Sequence, residues 1–258
     1  MRAFSRYGSK YFLHVVKKLT HEQRGIIQKF GFGCLLLFDC VNLPSDFCRW
    51  VADCVDPVCS QITICGKPFG ICKEMFHIVL GLPIGGLQVP FNCDEALAFI
   101  LSLFKLSELP HITFFGNKIS SSDPLCELEV FVCFLLVAIS CFLCPDVSHP
   151  VNIKYLHILK DPASVKGYDF SQFVYSSCLS GLLECSLFAK SKGRRLKSPV
   201  CCMYALVVRV HPASFFIEWL MYFWINFSSY IHCVSLIFLG VVSRLLGLWH
   251  KECFSHYS

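Results

Sequence analysis

Charge is scarce in this 258-residue chain: Asp, Glu, Lys and Arg together make up 16%. Hydrophobic residues reach 55%, which excludes a chain that is disordered throughout. No Gly-x-Ser-x-Gly, no His-Glu-x-x-His and no phosphate loop ending in Gly-Lys-Ser/Thr occurs. The chain also lacks a secretory leader pattern. It opens "MRAFSRYGSKYFLHVVKKLTHEQRG", where the apolar run "YFLHVV" is short and broken by His14. The basic, acid-poor start is compatible with a mitochondrial presequence, but it reads equally as an ordinary helix. There is no internal repeat and no low-complexity tract.

What remains is unevenly distributed. Residues 1–30 carry seven basic groups against one acid, residues 31–189 carry eight against fifteen, and residues 190–258 carry eight against two. An acidic middle between basic ends is not the continuous basic face of a DNA-binding domain, so direct nucleic-acid binding is not expected; the basic ends are compatible with contact to nucleic acid or anionic lipid, and a solvated face is their ordinary reading. Cysteine is abundant, at 18 residues. Most cysteines sit among Leu, Val and Phe, as in "VFVCFLLVAISCFLC", where a reduced thiol serves as a small hydrophobe. A reducing, intracellular setting is expected.

Periodicity predicts helices through most of the chain. "SKYFLHVVKKL" puts Phe12, Val15, Val16 and Leu19 on one face, and Thr20 with Gln23 forms a capping box opening "HEQRGIIQKF", which "GFG" ends. Ser45 is placed to cap "DFCRWVADCV", stopped by Pro57. Ile62, Ile64, Phe69 and Ile71 alternate with polar positions about Gly66–Lys67, predicting a small β-hairpin. "KEMFHIVLGLP" is a helix closed by Gly81 and Pro83, and Asn92 with Glu95 opens "CDEALAFILSLFKL". Asp123 with Pro124 is read as the start of a helix that is apolar all round from Val130 to Cys144. At fifteen residues that run is too short to span a bilayer and should form the centre of a globule. "NIKYLHILKD" reads as a short helix. Asp169 and Gln172 cap a long amphipathic one, followed by the basic linker "KSKGRRLKSP".

The candidate chemical groupings are thin. Cys141 and Cys144 have metal-ligand spacing with His149 and His157 downstream, but the loop and the His spacing do not fit a zinc finger. Gly31 and Gly33 lack the third glycine of a dinucleotide site. Gly81 to Gly86, "GLPIGG", reads as a helix stop and turn. His77, His111 and His157 stand singly and read as structural. Asn226-Phe227-Ser228 matches a glycosylation acceptor. No catalytic, metal or cofactor-binding residue is assigned, and no cofactor is expected.

The segments "VVKKLTHEQRGIIQKFGFGCLL", "LPSDFCRWVADCVDP", "ITICGKPFGICKEMFHIVLGLPIGG", "FLLVAISCFLCPD" and "YLHILKDPASVKGYDFSQFVYSSCLSGL" together resemble the plant-specific domain of transposon-derived proteins. That group comprises the aminotransferase-like plant mobile domain and the N-terminal region of plant SUMO-protease-like transposon proteins. The resemblance covers residues 9–205. It implies a mostly helical domain with a small strand element, descent from a mobile element, and residence in the nucleus or cytoplasm. It implies no catalytic residues.

The expected organisation is therefore a flexible stretch over residues 1–8, a helical domain over 9–205, and an apolar tail over 206–258. From Arg209 the composition shifts to Trp, Phe, Ser, Ile, Leu and Cys, as a retained intron or a shifted frame would produce. Within the tail, residues 219–243 run 25 positions without a charge, long enough for a transmembrane helix. Asn226, Ser228, Ser229, His232 and Ser235 weaken its insertion. The leading expectation is a non-catalytic scaffold or interaction module. The competing one is a single-pass membrane protein anchored by residues 219–243.

Overall fold

In the computed structural model the described residues are 8–38, 43, 45–64, 66–88, 94–145, 151, 156, 158–159, 164–192 and 201–210. They form a mainly helical body carrying one small antiparallel sheet. The predicted 219–243 span lies outside these residues, as do residues 1–7, Asn92, His149, His157 and most of "NIKYLHILKD".

Helix α1 (Ser9–Lys18) buries Phe12, Leu13, Val15 and Val16, the face that periodicity indicates. Helix α2 (His21–Lys29) opens on the predicted capping box. Thr20 Oγ1 accepts the Gln23 N–H at 3.2 Å, and Gln23 Oε1 accepts the Thr20 N–H at 2.9 Å. Gly31 then reverses the chain at φ +88° into a 3-10 turn, Gly33–Leu37. Helix α3 (Ser45–Asp53) ends before Pro57 is reached, because Val55 already enters a strand.

The expected hairpin is part of a three-stranded sheet: β1 (Val55–Asp56), β2 (Gln61–Ile64) and β3 (Lys67–Gly70), in the order β1-β2-β3. Strand β1 is two residues long and carries no alternation to read. The turn also falls one residue earlier than Gly66–Lys67. Ile64 pairs with Lys67, so Lys67 belongs to the strand, and Gly66 takes the positive φ of +75°. Ile62 and Ile64 point into the core.

Helix α4 (Lys73–Leu80) is closed by Gly81 in the left-handed conformation, as expected. Helix α5 (Asp94–Phe104) follows, then α6 (Ile112–Ser120), which has no counterpart among the elements read from periodicity. Helix α7 (Glu127–Ala138) does not start at Asp123. Its N-cap is Cys126, whose Sγ accepts the Glu129 N–H at 3.4 Å while Glu129 Oε2 accepts the Cys126 N–H at 2.9 Å. Asp123 is turned back to Ser121, whose hydroxyl donates to it at 3.3 Å. The chain then widens into a π-helical turn, Ile139–Leu143, closed by the Cys144 N–H on the Ile139 carbonyl. Every residue from Val130 to Ile139 is buried.

Helix α7 is the axis of the body, packing against α2 and α6. Rings from other elements close around it and its π turn. Phe30 stacks on Phe131 at 4.0 Å and Phe12 on Phe142 at 5.1 Å. Phe32 lies between Phe131 and Phe170, and Phe38 meets both Phe142 and Tyr204 edge-on.

Helix α8 (Phe170–Lys192) includes the first three residues of the expected basic linker. Helix α9 (Met203–Val210) packs against α3 and α4, with Cys201 to Val207 all buried. The boundary read at residue 205 falls inside this helix, whose Leu206 and Val207 are as enclosed as Ala205. Among the described residues no helix is long and apolar enough to cross a membrane.

Phe134 is fully enclosed at the centre of α7. Phe134→Ala is expected to lower unfolding free energy by about 3–5 kcal/mol. Urea unfolding checks this: the midpoint should fall while the slope stays that of a cooperative transition.

Candidate functional site: the joint between α4 and α8

The richest polar constellation among the described residues lies where the strap after α4 meets the start of α8. Leu82 at the start of the strap is buried while Ile84 to Leu87 are exposed, so the backbone groups around Leu82 are the ones that must find partners within the protein. Gly81 begins the strap at φ +64°, and its N–H bonds the His77 carbonyl at 2.8 Å. A Cβ there would lie 2.3 Å from the Cβ of Cys34, so both conformation and space require glycine. The Leu82 carbonyl lies 2.6 Å from His77 Nδ1 and also accepts from the Ser171 hydroxyl at 3.2 Å. A carbonyl only accepts, so His77 carries its proton on Nδ1. The Pro83 carbonyl accepts the Ser171 N–H at 3.0 Å and its hydroxyl at 2.9 Å.

Further on, Leu87 forms a parallel bridge with Tyr168. Its N–H donates to the Gly167 carbonyl at 2.8 Å, and its carbonyl accepts the Asp169 N–H at 2.9 Å. Gly86 sits at φ +91° against this crossing, where a Cβ would lie 2.2 Å from the Gly167 oxygen. Tyr175, on α8, donates to Ser60 Oγ at 3.0 Å, tying the same helix to the sheet.

Asp169 is the hub. Its Oδ1 accepts the Gln172 N–H at 2.9 Å, the Asp169 half of the expected cap, while the Gln172 side chain turns to Ser176 Oγ instead; its Oδ2 accepts Lys73 Nζ at 2.7 Å from the first turn of α4. The Asp169 side chain is 7% exposed and that of Lys73 32%. Burial alone would raise the carboxyl's proton affinity. The Lys73 ammonium and the N–H groups of Gln172 and Gly85 outweigh it and hold the group below its usual value. The same contact raises Lys73 above its usual value. That direction is opposite to what a nucleophilic or Schiff-base lysine needs. The joint's chemistry is therefore that of a latch: it fixes the angle between two helices.

The other sequence candidates are dispersed. His111 caps α6, with Nδ1 accepting the Thr113 N–H at 3.3 Å. Cys141 and Cys144 are buried, and burial pushes each thiol up to about 12. Cys144, Cys178, Cys201 and Cys202 gather between the π turn, α8 and the start of α9, with Cys178 and Cys201 hydrogen-bonded. Contact with Cys178 and burial both raise Cys201. Among the described residues no group of three or more His, Cys, Asp or Glu is arranged to hold a metal ion. The sequence reading missed the strap's partners, although Asp169 and the run Gly81 to Gly86 were the visible signals. Spacing within one segment does not say which distant segment it will meet. Asn226 to Ser228 lies outside the described residues.

Two outcomes follow from the latch. Asp169→Ala, which removes the cap, should cost at least about 1 kcal/mol at neutral pH, whereas Asp169→Asn keeps a capping oxygen and should cost less. The wild-type contribution is fully present above the carboxyl's ordinary 3.8 and is lost as pH falls through the lower folded value. Both variants should therefore flatten the acid limb of a stability-versus-pH curve, measured by urea unfolding. Second, Gly85 has φ +80° in open space, while Gly86 has both a positive φ and the Gly167 oxygen in the way. Gly86→Ala should lower the melting temperature more than Gly85→Ala.

No curated protein and no solved structure matches this chain. Residues 5–204 match a family described as Domain of unknown function (DUF8566). That span runs from just before α1 into the first turn of α9 and takes in both the α7 axis and the latch. The chain belongs to this family, the Domain of unknown function DUF8566 family.

Proposed function

We propose that the chain is a non-catalytic scaffold or interaction module of plant transposon-derived lineage, residing in the nucleus or cytoplasm. One observation carries the reading. The segments on which the resemblance rests most, "LT-x-EQR…GFG" and "FGI…VLGLP-x-GG", act as joints. Thr20 and Gln23 cap α2, and the Gln23 amide reaches the Ile119 carbonyl of α6 at 2.9 Å. Arg24 binds the carbonyls of Val16, in the last turn of α1, and of Leu19, just past its end. Gly81 and Gly86 seat the strap against Cys34 and Gly167. Residues that carry a family's signature by fixing helix angles support a body built to hold a shape for a partner.

The second reading is a single-pass membrane protein with residues 219–243 as its anchor. It is favoured by the 25-residue run without a charge. Alkaline carbonate extraction of cells making the tagged full-length chain separates the two. Release into the supernatant, in a complex larger than the monomer, is the expected outcome. Retention in the membrane pellet would overturn the scaffold reading in favour of the anchor.

A further inference from the structure

The solvent face of α1 carries Lys10, His14, Lys17 and Lys18, at spacings that place them on one stripe, and the helix contains no acid. Among the described residues none of the four has a carboxylate partner. Elsewhere three cations are neutralised: Lys29 pairs with Glu127, Arg49 with Asp46 and Lys73 with Asp169. Arg24 adds to the stripe's far end, its guanidinium held on the Val16 carbonyl at 2.6 Å and the Leu19 carbonyl at 3.3 Å.

Helix stability explains only part of this. Lys17 and Lys18 lie in the last turn, where the helix dipole favours a cation. Lys10 lies in the first turn, where the dipole opposes one, and no acid stands nearby in the helix to offset it. A cation kept at an unfavourable end, exposed and unpaired, points to an external anion.

We infer that the outer face of α1 is a docking surface for the phosphate backbone of duplex DNA. This names a partner for the interaction module proposed above and rests on that reading. Charge complementarity selects the occupant. An anionic bilayer is held by a helix that also inserts apolar residues, and Phe12, Leu13, Val15 and Val16 are turned into the core. Single strands are held by a series of large exposed aromatic platforms, and α1 exposes only the His14 ring, since Phe12 is buried and Tyr11 is half-buried with its hydroxyl donating to the Thr113 carbonyl. An RNA duplex is read across its minor groove, where the 2′-hydroxyls lie, whereas a row of cations along one helix meets phosphates and enters no groove. A row of cations on a rigid helix suffices for the regular phosphates of DNA. The middle of the chain, eight basic groups against fifteen acids over residues 31–189, repels a polyanion and leaves the basic ends, of which α1 is a described helix, to receive it. The surface is one helix long, which the charge placement over the whole domain does not reveal.

The test is fluorescence anisotropy of a labelled 20-base-pair DNA of arbitrary sequence with the full-length chain. Three lysine contacts predict a logarithmic salt slope near −2.7, so affinity should fall about 40-fold between 50 and 200 mM salt. Lys10→Gln/Lys17→Gln/Lys18→Gln should weaken binding at least tenfold at 50 mM with the helical circular dichroism unchanged, whereas Lys105→Gln, an exposed cation at the end of α5, should leave it unchanged. Lys10→Gln alone relieves the dipole and so retains the fold; it should lower the slope by about one unit. Absence of binding, affinity unaffected by these lysines, or tighter association with an RNA duplex or phosphatidylserine vesicles would overturn the inference. With the fold intact, each of those outcomes leaves the module reading to the carbonate extraction.

Discussion

The structure turns on enclosing one helix that has no side fit for water. Helix α7 offers apolar residues at every angle, so a single packed layer cannot satisfy it; it must be surrounded. Its neighbours supply the wall in pieces. α1 and α2 close one part with Phe12 and Phe30, the turn after α2 gives Phe32, and α8 and α9 add Phe170 and Tyr204. Most of the surrounding helices are short, and none could bury its own apolar face alone. They are stable because they share one core.

Shared burial fixes which faces meet but leaves helix angles loosely defined, and polar joints settle those. The latch at Asp169 shows how. One carboxylate caps α8 and holds the ammonium at the start of α4, while the strap between Gly81 and Leu87 matches its carbonyls and amides to Ser171 and Gly167. The capping box before α2 extends the same logic, since its Gln23 also reaches α6. In both places a residue that ends or begins one helix is used to place another.

Local rules were legible in the sequence and distant pairings were not. The capping boxes and glycine stops near Thr20, Gly81 and Asp169 could be read because they depend on residues three or four apart. The burial of Val130 to Ile139 could be read because no polar residue interrupts the run. Helix α6 escaped because its short, mixed segment has a weak period, and Asp123 misled because a thiol, Cys126, took the cap that an Asp-Pro pair usually supplies. Strand β1 is too short to show alternation. The latch needed two segments some ninety residues apart to be set side by side, which pattern within a window cannot do. The basic character of residues 1–30 was plain in the sequence, but which of its cations stay exposed and without a carboxylate partner needed the folded helix.

The position of α9 has a consequence during synthesis. This last described piece of the interior follows α8 and the basic segment after it, yet it sits between α3 and α4, made more than a hundred residues earlier. Until Cys201 to Val207 leave the ribosome, the apolar walls on α3 and α4 that will face them have only water against them. The nascent body is thus obliged to wait, half-sealed and greasy on one flank, for the plug that completes it.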